Sequence, residues 1–232
     1  MAGRRVLAVD VGGSHVKVLL SGEDERRRFE SGPQLTAQQM IEGVQGLTGD
    51  WSYDVVSVGV PSPVHAGRIV AEPVNLGHGW VGFDFERAFG RPTKVINDAA
   101  MQALGSYEGG GKMLYLGLGT GLGSALVDGG KVEPMELGHL PFRKATYEDY
   151  VGERGRTRLG KKKWKAAVEE AIEQLSAALE PDYVILGGGN AKRLEALPPN
   201  VRLGANENAF AGAFRLWEGP DEEAPKGPPH PL

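Results

Sequence analysis

Two stretches of the chain share one pattern: an apolar run, a glycine-rich turn and a second apolar run. They are VLAVDVGGSHVKVLL at residues 6–20 and MLYLGLGTGLGSALV at residues 113–127, which lie 107 positions apart (113 minus 6). Each pattern predicts a β-hairpin whose tight turn exposes backbone N–H groups. Converging amides make a concave anion site, so two facing hairpins would hold a phosphorylated ligand from both sides. The alternative is that the glycines only form turns.

The rest of the apolar pattern predicts an alternation of strands and helices. Helical spacing covers residues 36–47, with Thr36 as the cap, and residues 164–179, which are followed by Pro181. Further helices are expected from Ala99 onward and over residues 208–217. The predicted strands are residues 54–60, 68–71, 94–96 and 183–186. The last of these leads into a third glycine turn at residues 187–190, which could begin a helix. The mixed charges of residues 23–30 predict a solvated edge or turn.

Composition and charge narrow the class of protein. The 232 residues are 41% hydrophobic and 24% charged with a net charge of -4, which is typical of a soluble globular protein and gives no reason to expect nucleic acid as a partner. No apolar run approaches the roughly 20 residues of a membrane helix, and no signal-peptide pattern is found, so a cytoplasmic location is expected. The lack of cysteine excludes disulfides and thiolate metal sites. Residues 218–232, EGPDEEAPKGPPHPL, predict a disordered tail.

Polar residues stand at three places where they could act on a ligand. Asp98 follows a predicted strand and opens a predicted helix, where the helix dipole stabilises a carboxylate; the alternative is a simple N-cap. Glu136 and His139 are three positions apart, which would place both on one face of a helix, although such a pair is more often structural. The basic residues from Arg154 to Lys165 are usual for a solvated face and could instead attract a polyanion.

Five segments, in the family's order, resemble the motifs of the ROK sugar kinases of the actin-like ATPase superfamily. AVDVGGSHVK and LGLGTGLGSAL resemble the two phosphate motifs, and VILGGGNAKRL resembles the segment that closes over the adenosine. VINDAAMQALG resembles the strand-to-helix corner with the catalytic aspartate, and ELGHL the E-x-G-H motif. The resemblance implies an α/β fold of the two-domain, actin-like or hexokinase type (a duplicated ribonuclease H-like fold) with a central cleft. The implied domains are residues 1–97 and residues 98–217, and the last helix could pack back on the first domain.

The resemblance also implies roles for individual residues in the Mg²⁺-dependent phosphorylation of a hexose. Asp98 would be the general base that takes a proton from a sugar hydroxyl as it attacks the terminal phosphate, and Asp10 would help to place Mg²⁺. The implied sugar contacts are Asn75, Asn97, Asp98, Glu136, His139 and Glu148. The residues implied to hold the phosphates and the nucleotide are Asp10, Gly12, Gly13, Lys17, Gly119, Thr120, Gly121, Gly187, Gly188, Gly189 and Asn190.

The chain departs from most of the family in one segment. Most members carry a zinc loop, C-x-C-G-x-x-G-C, after the E-x-G-H motif, whereas only LPFRKATY separates His139 from Glu148. We therefore expect no structural zinc. The polyphosphate glucokinases also lack that loop. Their likeness implies glucose as the sugar and ATP, polyphosphate or both as the donor. The basic residues from Arg154 to Lys165 would then serve to bind the polyphosphate. The sugar loop PVNLGHGW differs from theirs and leaves the hexose open.

Two other functions stay open as alternatives. A ROK-type regulator would need a DNA-binding helix-turn-helix ahead of the kinase fold, and because Val6 already opens the first strand we expect an enzyme instead. A catalytically silent sugar- or nucleotide-binding protein is the second alternative, since the shortened C-terminal half could have lost ATP. Dimers are common in the family, so a homodimer is also expected.

Overall fold

The computed structural model describes residues 4–205 and 208–218, so residues 219–232 of the predicted tail lie outside it. The N-terminal half is built on a five-stranded sheet in the order β3-β2-β1-β4-β7. Its elements are β1 (Val6–Val11), β2 (His15–Leu20), β3 (Arg27–Glu30), α1 (Ala37–Thr48), β4 (Val55–Val60), β5 (Val64–His65), β6 (Arg68–Ile69), α2 (Phe85–Phe89) and β7 (Thr93–Asn97). The β1–β2 and β2–β3 pairs are antiparallel, while β4 pairs in parallel with β1 and β7.

The central strands are mostly apolar, and both of their faces are covered. All six residues of β4 are buried, as expected for a parallel strand with layers on each side. On β1, Leu7 and Val9 pack with α1, whereas Ala8 points to the opposite face and joins a second apolar cluster. Thr36 caps α1 through a capping box with Gln39, which confirms the predicted cap.

The C-terminal half repeats this plan. A second five-stranded sheet has the order β10-β9-β8-β13-β14, again an antiparallel hairpin joined to parallel strands. Its elements are α3 (Asp98–Ser106), β8 (Met113–Leu118), β9 (Leu122–Asp128), β10 (Lys131–Met135), β11 (Pro141–Phe142), β12 (Ala145–Thr146), α4 (Tyr147–Val151), α5 (Glu153–Leu179), β13 (Tyr183–Gly187), β14 (Val201–Leu203) and α6 (Asn208–Arg215), with 3-10 helices at Leu137–His139 and Ala191–Arg193. Both predicted hairpins are therefore confirmed as β1–β2 and β8–β9.

Helices α3 and α6 join the two sheets. They pack on each other, and α6 also contacts β1 and β4 of the first sheet. The two helices approach so closely that a Cβ at Gly105 would collide with the backbone of Asn208. Ser57 of β4 donates to the carbonyl of Ala213 at 2.7 Å and accepts from the Trp217 indole at 2.8 Å. The C-terminal helix is thus fastened to the N-terminal sheet, and a division of the chain between residues 97 and 98 stays a prediction.

Several elements differ from the sequence prediction. Residues 23–30 are predicted as a solvated edge or turn; within them, residues 27–30 form β3 at the edge of the first sheet, which agrees with the predicted edge and adds a strand that the sequence does not predict. The helix predicted from Trp164 begins eleven positions earlier (164 minus 153), and a non-helical Gly160 with φ 74° interrupts it. The third glycine turn is followed by a 3-10 helix of three residues and not by an α-helix. Within the described residues, no helix combines enough length with enough apolarity to cross a membrane.

Candidate active site

The first glycine turn lies between β1 and β2 and carries a charged pair at its base. Gly12 N donates to His15 O at 3.0 Å and closes the turn. Asp10 and Lys17 are cross-strand partners in the hairpin, and Lys17 Nζ lies 3.4 Å from Asp10 Oδ2. A Cβ placed on Gly13 would lie 3.5 Å from Cβ of Asn75. The fold therefore brings Asn75, from the predicted sugar loop, beside the predicted phosphate turn.

A strand-to-helix corner presents Asn97 and Asp98. The carbonyl oxygen of the Asn97 side chain accepts from the N–H groups of Ala99 at 2.9 Å and Ala100 at 3.1 Å, so Asn97 is the N-cap of α3. The N-cap of α3 is therefore Asn97, one position before Asp98, and the interpretation of Asp98 as a simple N-cap is wrong. The Asn97 amide donates to Ser62 O at 3.2 Å. Since both polar ends of Asn97 are engaged in the corner, this side chain fixes the direction in which Asp98 leaves the strand.

Asp98 is the first residue of α3, and its carboxyl group is strongly perturbed. Burial, and next the negative charge of Asp10, raise the pKa of Asp98 to about 7. The charge of Glu136 raises this pKa by a smaller amount. The N–H of Ala99, which donates to Oδ1 at 2.8 Å, lowers it. Part of the side chain stays accessible to solvent. A partly accessible carboxylate with a pKa near neutrality is well matched to accept a proton at physiological pH.

The Asp10 carboxylate fits a magnesium ion held together with phosphates. Its side chain is 13% exposed, and burial raises its pKa while Lys17 opposes that rise. Oδ1 of Asp10 accepts no hydrogen bond from any described residue. Among these residues there is no group of three or more His, Cys, Asp or Glu side chains that could hold a metal. Mg²⁺ in kinase sites takes one or two carboxylates plus substrate phosphates, and a single free carboxylate oxygen suits that arrangement.

Two acidic residues and a histidine form a second group next to the β8–β9 turn. His139 Nδ1 lies 3.9 Å from Glu136, and its Nε2 lies 4.0 Å from Glu148. Glu136 is the N-cap of the 3-10 helix Leu137–His139, and its carbonyl accepts from His139 N at 3.2 Å, which brings the two residues close together. Burial raises the pKa of Glu136; His139 opposes the rise and Glu148 adds to it. A Cβ on Gly121 would collide with the Glu148 carboxylate, so the group touches the second glycine turn.

The second and third glycine turns are fastened to each other. In the second turn, Gly119 N donates to Gly121 O at 3.2 Å, and Thr120 between them is exposed. The third turn, Gly187-Gly188-Gly189-Asn190, lies against it: the Asn190 side chain donates to Gly119 O at 3.3 Å and to Glu153 at 2.9 Å. The predicted nucleotide residue Asn190 is thus buried and engaged inside the protein.

Sequence reasoning missed two carboxylates that shape these loops. Glu72 accepts from the N–H groups of Gly79 at 3.2 Å, Trp80 at 3.1 Å and Val81 at 3.3 Å, and so holds the predicted sugar loop. Burial acts to raise the pKa of Glu72, but the three donors hold it below its usual value. Glu153 begins α5 and binds the second turn through its N–H, which donates to Gly119 O at 3.0 Å. Neither contact follows a periodic spacing, so no sequence pattern indicates it.

The basic run lies on the first turns of α5 and just after Gly160, and much of its charge is paired. Arg154 lies 3.0 Å from Asp149, and Glu195 pairs with Lys161 at 2.7 Å and with Lys165 at 3.1 Å. Arg156 pairs with Glu153. Lys162 and Lys163 are exposed, and neither forms an ion pair with another residue in the described part of the chain. Arg158 is also exposed and forms no ion pair there; its guanidinium donates to the carbonyl of Asp149 at 2.8 Å and lies over the Tyr150 ring. These three residues of the basic run could therefore meet a polyanion without breaking an ion pair.

Comparisons with known proteins agree with this architecture. The chain is similar to a polyphosphate glucokinase of Mycobacterium leprae, with 23% identity over 84% of this chain and 66% of that protein. It is also similar to a polyphosphate glucokinase of Mycobacterium tuberculosis (strain CDC 1551 / Oshkosh), with 26% identity over 84% of this chain and 82% of that protein. The structure is similar to that of an inorganic polyphosphate/ATP-glucomannokinase from Arthrobacter sp. strain KM, with 25% identity, a TM-score of 0.78 and coverage of 92% of this chain and 98% of that one. This likeness confirms the predicted α/β fold of the actin-like or hexokinase type. The model of the ROK family matches residues 6–155, so the chain belongs to the ROK family.

Proposed function

We propose that this protein is a carbohydrate kinase that transfers a phosphoryl group from ATP or polyphosphate to a hexose, with glucose as the first candidate and Asp98 as the general base. The relatives named above are hexose kinases by their names, and one of them is named for both donors. The hexose and the donor are proposals for this chain, as are the site residues.

The observation that carries the proposal is the position and charge state of Asp98. It stands at the N-terminus of α3, within the electrostatic reach of Asp10 from the first sheet and of Glu136 from the second. Its pKa of about 7 means that a large share is ionised at neutral pH and can still hold a proton during the reaction. Positioned general bases contribute on the order of 10²–10⁴-fold to a rate.

In the proposed reaction, one sugar hydroxyl donates a hydrogen bond to the Asp98 carboxylate. The hydroxyl oxygen forms a bond to the terminal phosphorus of the donor while the bond from that phosphorus to the bridging oxygen breaks, and the hydroxyl proton passes to Asp98. The shortened donor leaves with the electron pair of the broken bond. Glu136, His139 and Glu148 are grouped beside the second turn, where carboxylates and an imidazole can bind neighbouring hydroxyls.

The two glycine turns would bind the donor, and Asp10 would bind the accompanying metal. Lys17 is half exposed and supplies a positive charge next to the first turn. Mg²⁺, when bound with the donor, neutralises phosphate charge, which is most of what phosphoryl transfer requires beyond positioning. For a polyphosphate donor, Lys162, Lys163 and Arg158 are basic residues of α5 that could contact the chain beyond the reacting phosphate without breaking an ion pair.

A coupled assay tests the proposal. Glucose and mannose are each offered with Mg²⁺ and either ATP or long-chain polyphosphate, and the sugar phosphate formed is measured. We expect turnover with glucose for the wild-type protein and a loss of about 10²–10⁴-fold in Asp98→Asn. Asp128→Asn, an exposed carboxylate at the end of β9, is the matched control and should keep wild-type activity. Absence of product with every sugar and donor would favour the silent binding protein.

A further inference from the structure

One segment of the N-terminal half contacts both the predicted phosphate turn and the predicted sugar loop. This bridging segment, residues 31–35, follows β3 and leads into α1. At its start, Ser31 Oγ donates to Gly12 O at 2.5 Å and Ser31 N donates to Ser14 O at 3.0 Å. Both acceptors belong to the glycine turn between β1 and β2. Ser31 therefore continues the β2–β3 pairing beyond the last paired residue and holds the turn from its outer side.

At its other end, the same segment holds the sugar loop. Leu35 O accepts from Gly77 N at 2.9 Å and from the Trp80 indole at 3.2 Å. Gly77 lies so close that a Cβ there would be 2.7 Å from Gln34 O, which allows only glycine at this position. The bridging segment is thus hydrogen-bonded to the donor side through Ser31 and to the sugar side through Leu35.

The bridging segment depends on these hydrogen bonds because little packs on its outer side. Residues 29–35, with Gln39 and Gly43, line an open groove of about 530 Å³. Pro33 and Gln34 are exposed, and Ser31 is only partly buried. Leu35 packs on the apolar core at the far end of the segment. At the near end, the two hydrogen bonds of Ser31 act together with the Gly12 N–His15 O bond to orient the carbonyl groups of the turn. The N–H groups of the turn are fixed with them, since each peptide unit is planar.

We propose that Ser31 is a positioning residue for the phosphoryl donor: its hydroxyl orients the Gly12–Ser14 turn so that the backbone amides of the turn converge on the donor phosphates. The inference rests on the proposed function in one respect only, namely that this turn binds phosphate. Removing the hydroxyl leaves Gly12 O without its partner and lets the turn rotate, which weakens phosphate binding. The sugar loop keeps its contacts to Leu35, so sugar binding is unchanged.

The test measures binding directly, with no need for turnover. Tripolyphosphate with Mg²⁺ is titrated into the full chain by calorimetry, because it presents the phosphate chain that ATP and polyphosphate share. We expect Ser31→Ala to weaken this binding about fivefold to tenfold, which is the effect of one net hydrogen bond, and Ser31→Thr, which keeps the hydroxyl, to restore it to within about twofold. The matched control is Ser21→Ala. Ser21 Oγ accepts from Val6 N at 2.9 Å at the opposite end of the same hairpin. This variant therefore removes a hydrogen bond of a serine side chain without changing a contact of the turn.

Each outcome separates the positioning role from general destabilisation. Unchanged tripolyphosphate binding in Ser31→Ala would overturn the proposal, as would equal weakening in Ser21→Ala or no binding by the wild type. In kinetics with glucose, Ser31→Ala should raise the donor KM and leave the sugar KM and kcat within about twofold. If tripolyphosphate binds and depends on Ser31 while no hexose is phosphorylated, Ser31 keeps its role and the proposed kinase activity is what fails.

Discussion

Replacing Asp98 with asparagine should stabilise the protein at alkaline pH while it removes activity. The folded-state pKa of about 7 lies above the ordinary value of 3.8. Between these two pH values the folded protein therefore keeps a proton that the unfolded chain releases. By linkage, Asp98 lowers the free energy of unfolding progressively as the pH rises from about 4 to about 7, and its full cost is present above that range. Asparagine cannot ionise, so the variant escapes this cost.

The size of the effect follows from the two pKa values. Their difference corresponds to about 4 kcal/mol, at about 1.4 kcal/mol for each pH unit. Because the Asp98 side chain keeps some contact with solvent, part of this cost is screened, and we expect a gain of about 2 kcal/mol in Asp98→Asn at pH 8. The hydrogen bond from Ala99 N at 2.8 Å survives the change, since the asparagine oxygen also accepts. At pH 4 the two proteins should be equally stable within about 0.5 kcal/mol.

The assay is urea denaturation of both proteins at pH 4, 6 and 8, followed by tryptophan fluorescence. Asp128→Asn, which removes an exposed carboxylate, serves as the control and should shift the midpoint little at any pH. The kcat/KM of the wild type for sugar should rise with pH through about 7 and then level off, because the free base is the active form. A stability difference that does not grow between pH 4 and pH 8 would refute the account of Asp98.

Three further predictions concern the sugar loop, the second glycine turn and the choice of phosphoryl donor. Glu72→Gln leaves one acceptor oxygen for three N–H donors; the sugar KM should rise about tenfold with the donor KM unchanged, and a change in the donor KM instead would contradict the role of Glu72. Gly121→Ala puts a methyl group against the Glu148 carboxylate, so kcat/KM for the sugar should fall about tenfold or more; wild-type kinetics would show that the turn can yield. Lys162→Gln with Lys163→Gln should raise the polyphosphate KM about threefold to tenfold and leave the ATP KM unaltered, whereas equal changes for both donors would argue against a polyphosphate track.

Sequence reasoning predicted the elements whose residues carry a local pattern. The two hairpins are defined by apolar runs around glycine turns, and α1 by its spacing and its capping box with Thr36. The corner at Asn97 was located to within one residue. Which of Asn97 and Asp98 caps the helix depends on side-chain direction, and both residue types are good caps, so the sequence does not decide it.

The start of α5 could not be predicted because tertiary contacts determine it. Residues 153–163 are mostly charged and carry no apolar stripe that would indicate a helix. The helix begins at Glu153, whose N–H donates to the carbonyls of Gly119 and Thr120 in the second glycine turn. Gly155 fits tightly against the backbone of Tyr150. The contacts of Glu72 could not be predicted for a related reason. A carboxylate that accepts from a loop seven to nine residues away produces no periodic pattern in the sequence.

The charge state of Asp98 depends on both halves of the molecule. Burial raises its pKa most; Asp10, which adds to the rise, belongs to the first sheet, and Glu136, which adds a smaller effect, follows β10 of the second sheet. If the halves moved apart, the repulsion would weaken and the pKa of Asp98 would fall toward its ordinary value, because Coulomb energy declines with distance. Bringing them together has the opposite effect and makes the carboxylate a stronger base. The pH at which activity rises therefore depends first on how deeply Asp98 is buried and, to a smaller extent, on how closely the two sheets approach.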